Sequence, residues 1–103
     1  MLNGVDKMVE FGKRLKELRK QKNLTQKQLG DLIGVKNSII SFYENGDRMP
    51  SPEIIRLLAY YLHVSSDFLM GIEKKPTIDV SGLSEKDILL VRSIVDSLRE
   101  KNK

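Results

Sequence analysis

The stretch from Thr25 to Gly46 constrains the fold of this chain more than any other part of it. Thr25 predicts a helix start, because its hydroxyl can accept a backbone N–H while Gln28 completes a capping box. Apolar residues then recur at helical spacing at Leu29, Leu32 and Ile33. Gly34 predicts the end of this short helix, since glycine takes the positive φ of a sharp turn without strain.

A second short helix is predicted directly after this turn. Its apolar positions are Ile39, Ile40 and Tyr43. It ends at Asn45 and Gly46, a pair that tolerates the left-handed backbone conformation. Gly30 is small at the point where two steeply crossing helices must approach closely. Because the turn is too short for antiparallel helices, the stretch predicts a helix-turn-helix.

The same stretch resembles a known family, the helix-turn-helix domains of the lambda/434 repressor and Cro type, also called Xre-like. The family pattern is approximately L-T-Q-x-x-L-A-x-x-x-G-V-S-x-x-x-I-S-x-Y-E-N-G. The matching positions are Leu24, Thr25, Gln26, Leu29, Gly34, Val35, Ile40, Ser41, Tyr43, Glu44, Asn45 and Gly46. The resemblance runs from about Val9 to Gly71 and implies an all-α DNA-binding domain of roughly four to five helices. It does not cover the last third of the chain, where the residues themselves predict one more C-terminal helix.

The basic charge of the chain is concentrated on the half that carries this motif. The net charge is +4, and residues 1–50 hold ten Lys/Arg against six Asp/Glu, whereas acids and bases balance in the rest. Such an excess is the expected footprint of a phosphate-binding face, although an ordinary solvated basic surface would show the same count.

Several functional classes lack their residues in this sequence. There is no Cys, so a disulfide framework and a thiolate metal site are excluded, and we expect no metal and no cofactor. His63 is the single histidine and is expected to have a surface or capping role. Neither a P-loop nor a GxGxxG fingerprint is present, and no small-molecule site is evident. No segment is apolar and long enough to span a membrane. An enzyme is therefore the weakest interpretation.

The chain is predicted to divide into four segments. Residues 1–8 form an N-terminal lead-in, residues 9–71 the DNA-binding domain, residues 72–83 a linker and residues 84–103 a C-terminal amphipathic helix. The first helix of the domain is expected over 9–22. The linker contains Pro76 and Gly82 as helix breakers, and Ser84 caps the last helix.

The C-terminal helix carries an apolar stripe at near-heptad spacing, formed by Ile88, Val91, Ile94, Val95 and Leu98. An isolated helix of this length is marginally stable, so the stripe needs a partner. The favoured interpretation is pairing with the same helix of a second chain, and the alternative is packing on its own domain.

The resemblance implies that the second helix of the motif enters the major groove of DNA. The positions that match base-reading ones are Lys36, Asn37, Ser38, Ser41 and Phe42. Asn37 could bond bidentately to adenine, which is worth about 1–3 kcal/mol of discrimination. Lys36 could contact guanine or a phosphate, and it leaves the helix without a side-chain cap. Phe42 could press on a thymine methyl group or, alternatively, pack against a neighbouring helix or a dimer partner.

The resemblance also implies a set of residues that contact the DNA backbone. The candidates are Gln26, Arg19, Asn45, Gly46, Arg48, Lys27 and Arg14. Arg48 could instead enter a narrow minor groove. Lys27 and Arg14 are equally explained as plain surface charge. An ion pair between Arg19 and Glu44 is implied as a structural lock on the recognition helix.

Together these features predict a sequence-specific regulator that binds double-stranded DNA, as a repressor on an inverted-repeat operator and as a homodimer. We expect it in the cytoplasm, bacterial or phage-encoded and bound to the nucleoid. An antitoxin or a restriction-modification controller would use the same domain. A protein-interaction module that keeps the fold without binding DNA is the alternative from a different class.

Overall fold

A computed structural model describes residues 3–75, 78 and 80–102. Within those residues the chain is all-α, which confirms the predicted fold class, and contains no strand. The helices are α1 (Gly4–Gln21), α2 (Gln26–Ile33), α3 (Asn37–Glu44), α4 (Pro52–Leu62), α5 (Ser66–Leu69) and α6 (Glu85–Lys101). The predictions made for Pro76 and for the first residues of the lead-in fall outside the described residues.

The ends of the short helices follow the local chemistry that the sequence predicts. The Thr25 hydroxyl accepts a hydrogen bond from the Gln28 backbone N–H at 3.0 Å, and Gln28 Oε1 accepts one from the Thr25 backbone N–H at 2.8 Å. The predicted capping box is thus confirmed. Gly34 has φ 80° after α2, and Asn23 has φ 57° after α1, as left-handed caps require. Lys36 precedes α3 without any side-chain cap, also as predicted.

Helix α1 begins earlier than predicted. The sequence patterns put its start at residue 9, but residues 4–8 are helical, so the predicted start of this helix was wrong. The division of the chain into a lead-in and a domain stays a prediction. The physical reason is Asn3, whose side chain accepts the Asp6 backbone N–H at 2.8 Å and so caps the helix. The apolar periodicity starts only at Phe11, one reason that the first turns were missed.

Helices α1 to α5 enclose one hydrophobic core. Its fully buried large side chains are Phe11, Leu15, Leu29, Ile40, Leu58, Leu62 and Leu69. Leu32 was expected on the apolar side of α2, but it is 43% exposed. Leu29 and Ile33, one turn apart, supply the buried side of α2, and Leu32 lies at the margin of that stripe.

Helix α6 lies outside this core. None of its residues is buried, and Ile94 and Leu98 are 56% and 51% exposed. The other three residues of the predicted stripe, Ile88, Val91 and Val95, are half-buried and line a shallow groove with Val80 of the preceding segment. The stripe is therefore not packed into the core of its own domain, and most of its apolar surface remains open.

Candidate nucleic-acid interface

Helix α3 presents one face to the core and the opposite face to solvent. Ile40 and Tyr43 are buried in the core. Four of the predicted base-reading residues are exposed, namely Lys36, Asn37, Ser38 and Phe42. Because Ser38 and Phe42 are one helical turn apart, their side chains lie side by side on this exposed face. The face could be inserted into a groove without disturbing the core.

Ser41, the remaining predicted base reader, is half-buried. Its Oγ accepts a hydrogen bond of 3.3 Å from the Asn45 side-chain amide, at the end of the same helix. Both residues were assigned to DNA, one to a base and one to the backbone. The contact connects the two side chains on one edge of α3, and the Ser41 hydroxyl hydrogen is still available to an acceptor.

A buried ion pair fixes α3 to α1. Arg19 Nε and Glu44 Oε2 are 2.6 Å apart, and Arg19 Nη2 donates to Glu44 Oε1 at 3.0 Å. Arg19 Nη1 donates to the Leu24 carbonyl at 2.7 Å, so every nitrogen of the guanidinium has an internal acceptor. The hydrogen bond to Glu44 raises the pKa of Arg19, against the opposing effect of burial.

Arg19 is also a predicted contact to the DNA backbone, and that assignment stays a prediction. The side chain is only 10% exposed and its guanidinium is engaged within the protein. Its position fits the structural role implied for the pair, and two of its five guanidinium N–H groups remain for a phosphate oxygen.

Gln26 joins the same network from the first turn of α2. Its Nε2 donates to Glu44 Oε1 at 3.1 Å, so one carboxylate connects α1, α2 and α3. The sequence assigned Gln26 to a phosphate and did not indicate this bond. One amide N–H and the carbonyl of Gln26 remain for other partners.

Gly12 is a structural determinant of the interface that the sequence reasoning missed. A Cβ added there would come within 2.6 Å of the Tyr43 carbonyl oxygen and closer still to that of Glu44. Helix α1 therefore approaches the C-terminal turn of α3 at backbone distance, which only glycine permits. A glycine inside an amphipathic helix, directly after buried Phe11, was the available signal.

Phe42 and Arg48 form a contact that the sequence also left unnoticed. The Arg48 guanidinium carbon lies 5.4 Å from the centroid of the Phe42 ring, within the range of a cation–π interaction. The chain reverses at Gly46, which has φ 77°, and the Asp47 N–H donates to the Phe42 carbonyl at 2.9 Å. This turn brings the loop after α3 back over the recognition face.

The two weakest backbone candidates have other partners. Arg14 Nη1 donates to the Leu69 carbonyl at 3.3 Å, and a Cβ added at Gly71 would lie 3.0 Å from the same nitrogen. Since Arg14 and Gly12 are two positions apart on α1, Arg14 lies on the side away from α3, where it caps the end of α5. This location makes Arg14 a weaker candidate for DNA contact, and its assignment to the DNA backbone stays a prediction. Lys27 forms an exposed pair with Asp31 at 2.9 Å.

Other kinds of site find little support in the described part of the chain. It holds no group of three or more His, Cys, Asp or Glu side chains that could bind a metal ion. His63 is exposed and adopts φ 60° where α4 ends, which is the capping role expected for it. Across residues 3–75, 78 and 80–102, no helix is long and apolar enough to cross a membrane.

The amino-acid sequence of this chain is similar to those of known proteins. The HTH-type transcriptional regulator AnsR of Bacillus subtilis (strain 168) is 42% identical over 62 residues, 60% of this chain and 53% of AnsR. ImmR, another HTH-type transcriptional regulator of the same organism, is 33% identical over 92 residues, 89% of this chain and 68% of ImmR. The chain thus spans about half of the first relative and about two thirds of the second.

Solved structures agree in fold. The restriction-modification controller protein C.AhdI from Aeromonas hydrophila is 35% identical with a TM-score of 0.62, over 66% of this chain and 99% of that one. The P22 c2 repressor in complex with synthetic operator 9T is 34% identical with a TM-score of 0.56, over 57% of this chain and 89% of the repressor chain. The pattern of a family described as helix-turn-helix matches residues 15–69. AnsR and ImmR are transcriptional regulators, and this chain belongs to the same helix-turn-helix family.

Proposed function

We propose that this protein is a transcriptional regulator that binds specific sequences in duplex DNA through α3, as a homodimeric repressor on an inverted repeat. The single observation that carries the proposal is the exposed face of α3, where Asn37, Ser38 and Phe42 are open to solvent while Ile40 and Tyr43 are buried in the core. Its place of action would be the cytoplasm, on nucleoid DNA. We propose no catalytic function.

The proposed recognition depends on a rigid α3. B-DNA admits a helix into its major groove, where each base pair presents a distinct pattern of donors and acceptors. Asn37, at the first turn of α3, would bond to adenine, with Ser38 and Ser41 as further polar contacts and Lys36 at a phosphate or guanine. The network of Arg19, Glu44 and Gln26 would keep these side chains in register by joining α3 to its two neighbouring helices.

Contacts to the DNA backbone would come from the elements that flank α3. Thr25 accepts the Gln28 N–H, which leaves the N–H groups at the very start of α2 for a phosphate oxygen. Lys27 and Gln26 lie in that first turn. Asn45, Gly46 and Arg48 would form the second backbone contact, in the loop after α3.

Dimerisation would use the open stripe of α6. Five of its apolar side chains are exposed or half-buried, which is unfavourable for a helix that stays single in water. A symmetric pair of chains would place the two α3 helices about 34 Å apart, one turn of DNA. This spacing predicts two half-sites related by a twofold axis.

Selection of bound duplexes from a random library at moderate salt tests the proposal. We expect an enriched palindromic motif whose half-site spacing reports the distance between recognition helices. Lack of enrichment, with binding that disappears as salt increases, would contradict sequence-specific recognition and leave electrostatic attachment only.

A protein-interaction function is the second candidate, and the open stripe of α6 is the observation that favours it. An antitoxin or a restriction-modification controller would combine such a contact with the same DNA-binding face. A module that no longer binds DNA would show no enriched motif, yet its α6 would still bind a partner. The selection therefore separates a module that does not bind DNA from the candidates that do.

A further inference from the structure

Phe42 is an aromatic side chain with no place in the hydrophobic core. It is 40% exposed, and it is not among the partly buried apolar residues that pack against the core. Helix α4 therefore does not explain it. The ring lies on the face that carries Asn37 and Ser38. Its apolar surface stays in contact with water, which is unfavourable, unless a partner covers it.

Arg48 covers one side of this ring. Its guanidinium carbon lies 5.4 Å from the ring centroid, and it has no hydrogen-bond partner among the described residues. A guanidinium that lies over a ring keeps its five N–H donors for other acceptors. The stack thus joins an apolar surface to a set of cationic donors at one end of α3.

We propose that Phe42 and Arg48 act as one composite contact that recognises the 5-methyl group of a pyrimidine and the phosphate beside it. This inference rests on the proposed function and adds a chemical feature of the DNA to it. Among base edges in the major groove, the C5-methyl group is the apolar one, and it is present in thymine and in 5-methylcytosine. Phe42 covers this methyl group while Arg48 donates to the phosphate.

The neighbouring residues suit such a contact. Ser38, one turn before Phe42, is small, so the ring is accessible from the side that faces the groove. The turn at Gly46 and the bond from the Asp47 N–H to the Phe42 carbonyl hold Arg48 above the ring. Arg48 consequently restricts the positions of the ring and is a positioning residue as well as a phosphate ligand.

The test compares duplexes that differ by one methyl group. The selected motif is synthesised with deoxyuridine in place of thymidine at each position in turn, and dissociation constants are measured for the full chain. We expect a loss of roughly fourfold at one thymine of each half-site, the change that corresponds to burial of one methyl-sized group. Deoxyuridine outside the motif is the matched control and should change nothing.

Two variants assign the effect to the stack. Phe42→Gln should abolish the thymine-to-uracil difference at that position, and it can fold because the ring is exposed. Arg48→Lys should keep the dependence on salt but reduce the methyl effect, since the ammonium cannot stack as a plane.

The composite contact is overturned if wild-type protein binds thymine and uracil forms equally at every position, if its half-sites contain no thymine, or if either variant retains the full methyl effect. A change in the dimer mass of Phe42→Gln without a methyl effect would instead assign Phe42 to a protein interface. If no duplex motif is enriched at all, the proposed function fails together with this inference.

Discussion

Arg19 Nε and Glu44 Oε2 lie 2.6 Å apart at the junction of three helices, and the Glu44 side chain is 1% exposed. Gln26 donates to the same carboxylate. A charged pair in this position costs desolvation, but once formed it allows one arrangement of its neighbours. We infer that the pair fixes the orientation of α3 relative to α1 and α2, and so the positions of Asn37 and Phe42.

Removal of one member of this pair should be strongly destabilising. Glu44→Gln leaves the Arg19 guanidinium buried without its counter-charge, and the expected loss is about 3–5 kcal/mol in the free energy of unfolding. Urea titration followed by circular dichroism measures it. Asp31→Asn breaks the exposed Lys27–Asp31 pair as a control and should cost at most about 0.5 kcal/mol. Equal losses of unfolding free energy in both variants would show that the buried pair contributes no more stability than the exposed one.

Gly12→Ala should be destabilising although alanine is the better helix former. Its new Cβ would lie 2.6 Å from the Tyr43 carbonyl oxygen, so α1 and α3 must separate. Gly4→Ala, in the same helix, has nothing within 4 Å of the new Cβ and should be neutral or slightly stabilising. Thermal unfolding of both variants provides the comparison. A Gly12→Ala protein as stable as wild type would exclude the close helix approach.

The fold could be predicted from the sequence because its signals are local. A capping box, a left-handed glycine and an apolar period each depend on residues a few positions apart, and Thr25, Gly34 and Ile40 behave as predicted. Asn3 carries a similar local signal, but the apolar period by which the sequence indicates α1 begins only at Phe11.

The site was less predictable because its decisive contacts join residues distant in sequence. Arg14 resembles any basic surface residue until α5 places the Leu69 carbonyl beside it. Gln26 and Glu44 meet only once α2 and α3 cross, and Arg48 reaches Phe42 only through the turn at Gly46. A sequence motif identifies such residues, but which residues they contact depends on how the chain folds in three dimensions.

The salt dependence of DNA binding should separate Lys36 from Arg14. Lys36 is exposed at the start of α3, so Lys36→Met should lower the slope of log K against log salt by about 0.9 if it contacts a phosphate. Arg14→Met should leave the slope unchanged and reduce stability, because Arg14 caps α5. Titrations by fluorescence anisotropy at several salt concentrations measure both. A reduced slope for Arg14→Met would instead identify Arg14 as a DNA contact.

Asn37→Ala should relax the sequence preference at one base pair of each half-site. A bidentate bond to adenine contributes about 1–3 kcal/mol of discrimination, whereas binding to unrelated DNA should hardly change. Competition between the selected duplex and its single-base variants measures this preference. An equal loss of affinity on all sequences would mean that Asn37 does not read a base.

The apolar stripe of α6 should determine the oligomeric state. Val91 and Val95 lie together on the half-buried side of this helix, and none of its residues enters the core. Val91→Glu combined with Val95→Glu should convert a dimer into a monomer in sedimentation equilibrium, because two carboxylates per chain would be desolvated at the interface.

Ser93→Glu with Ser97→Glu adds the same charge on the opposite face of α6 and should leave the dimer intact. Since α6 packs outside the core, the monomeric variant should keep the unfolding transition of helices α1 to α5 and lose affinity for the palindrome more than for a single half-site. A variant that stays dimeric but unfolds more readily would place the stripe against its own domain instead.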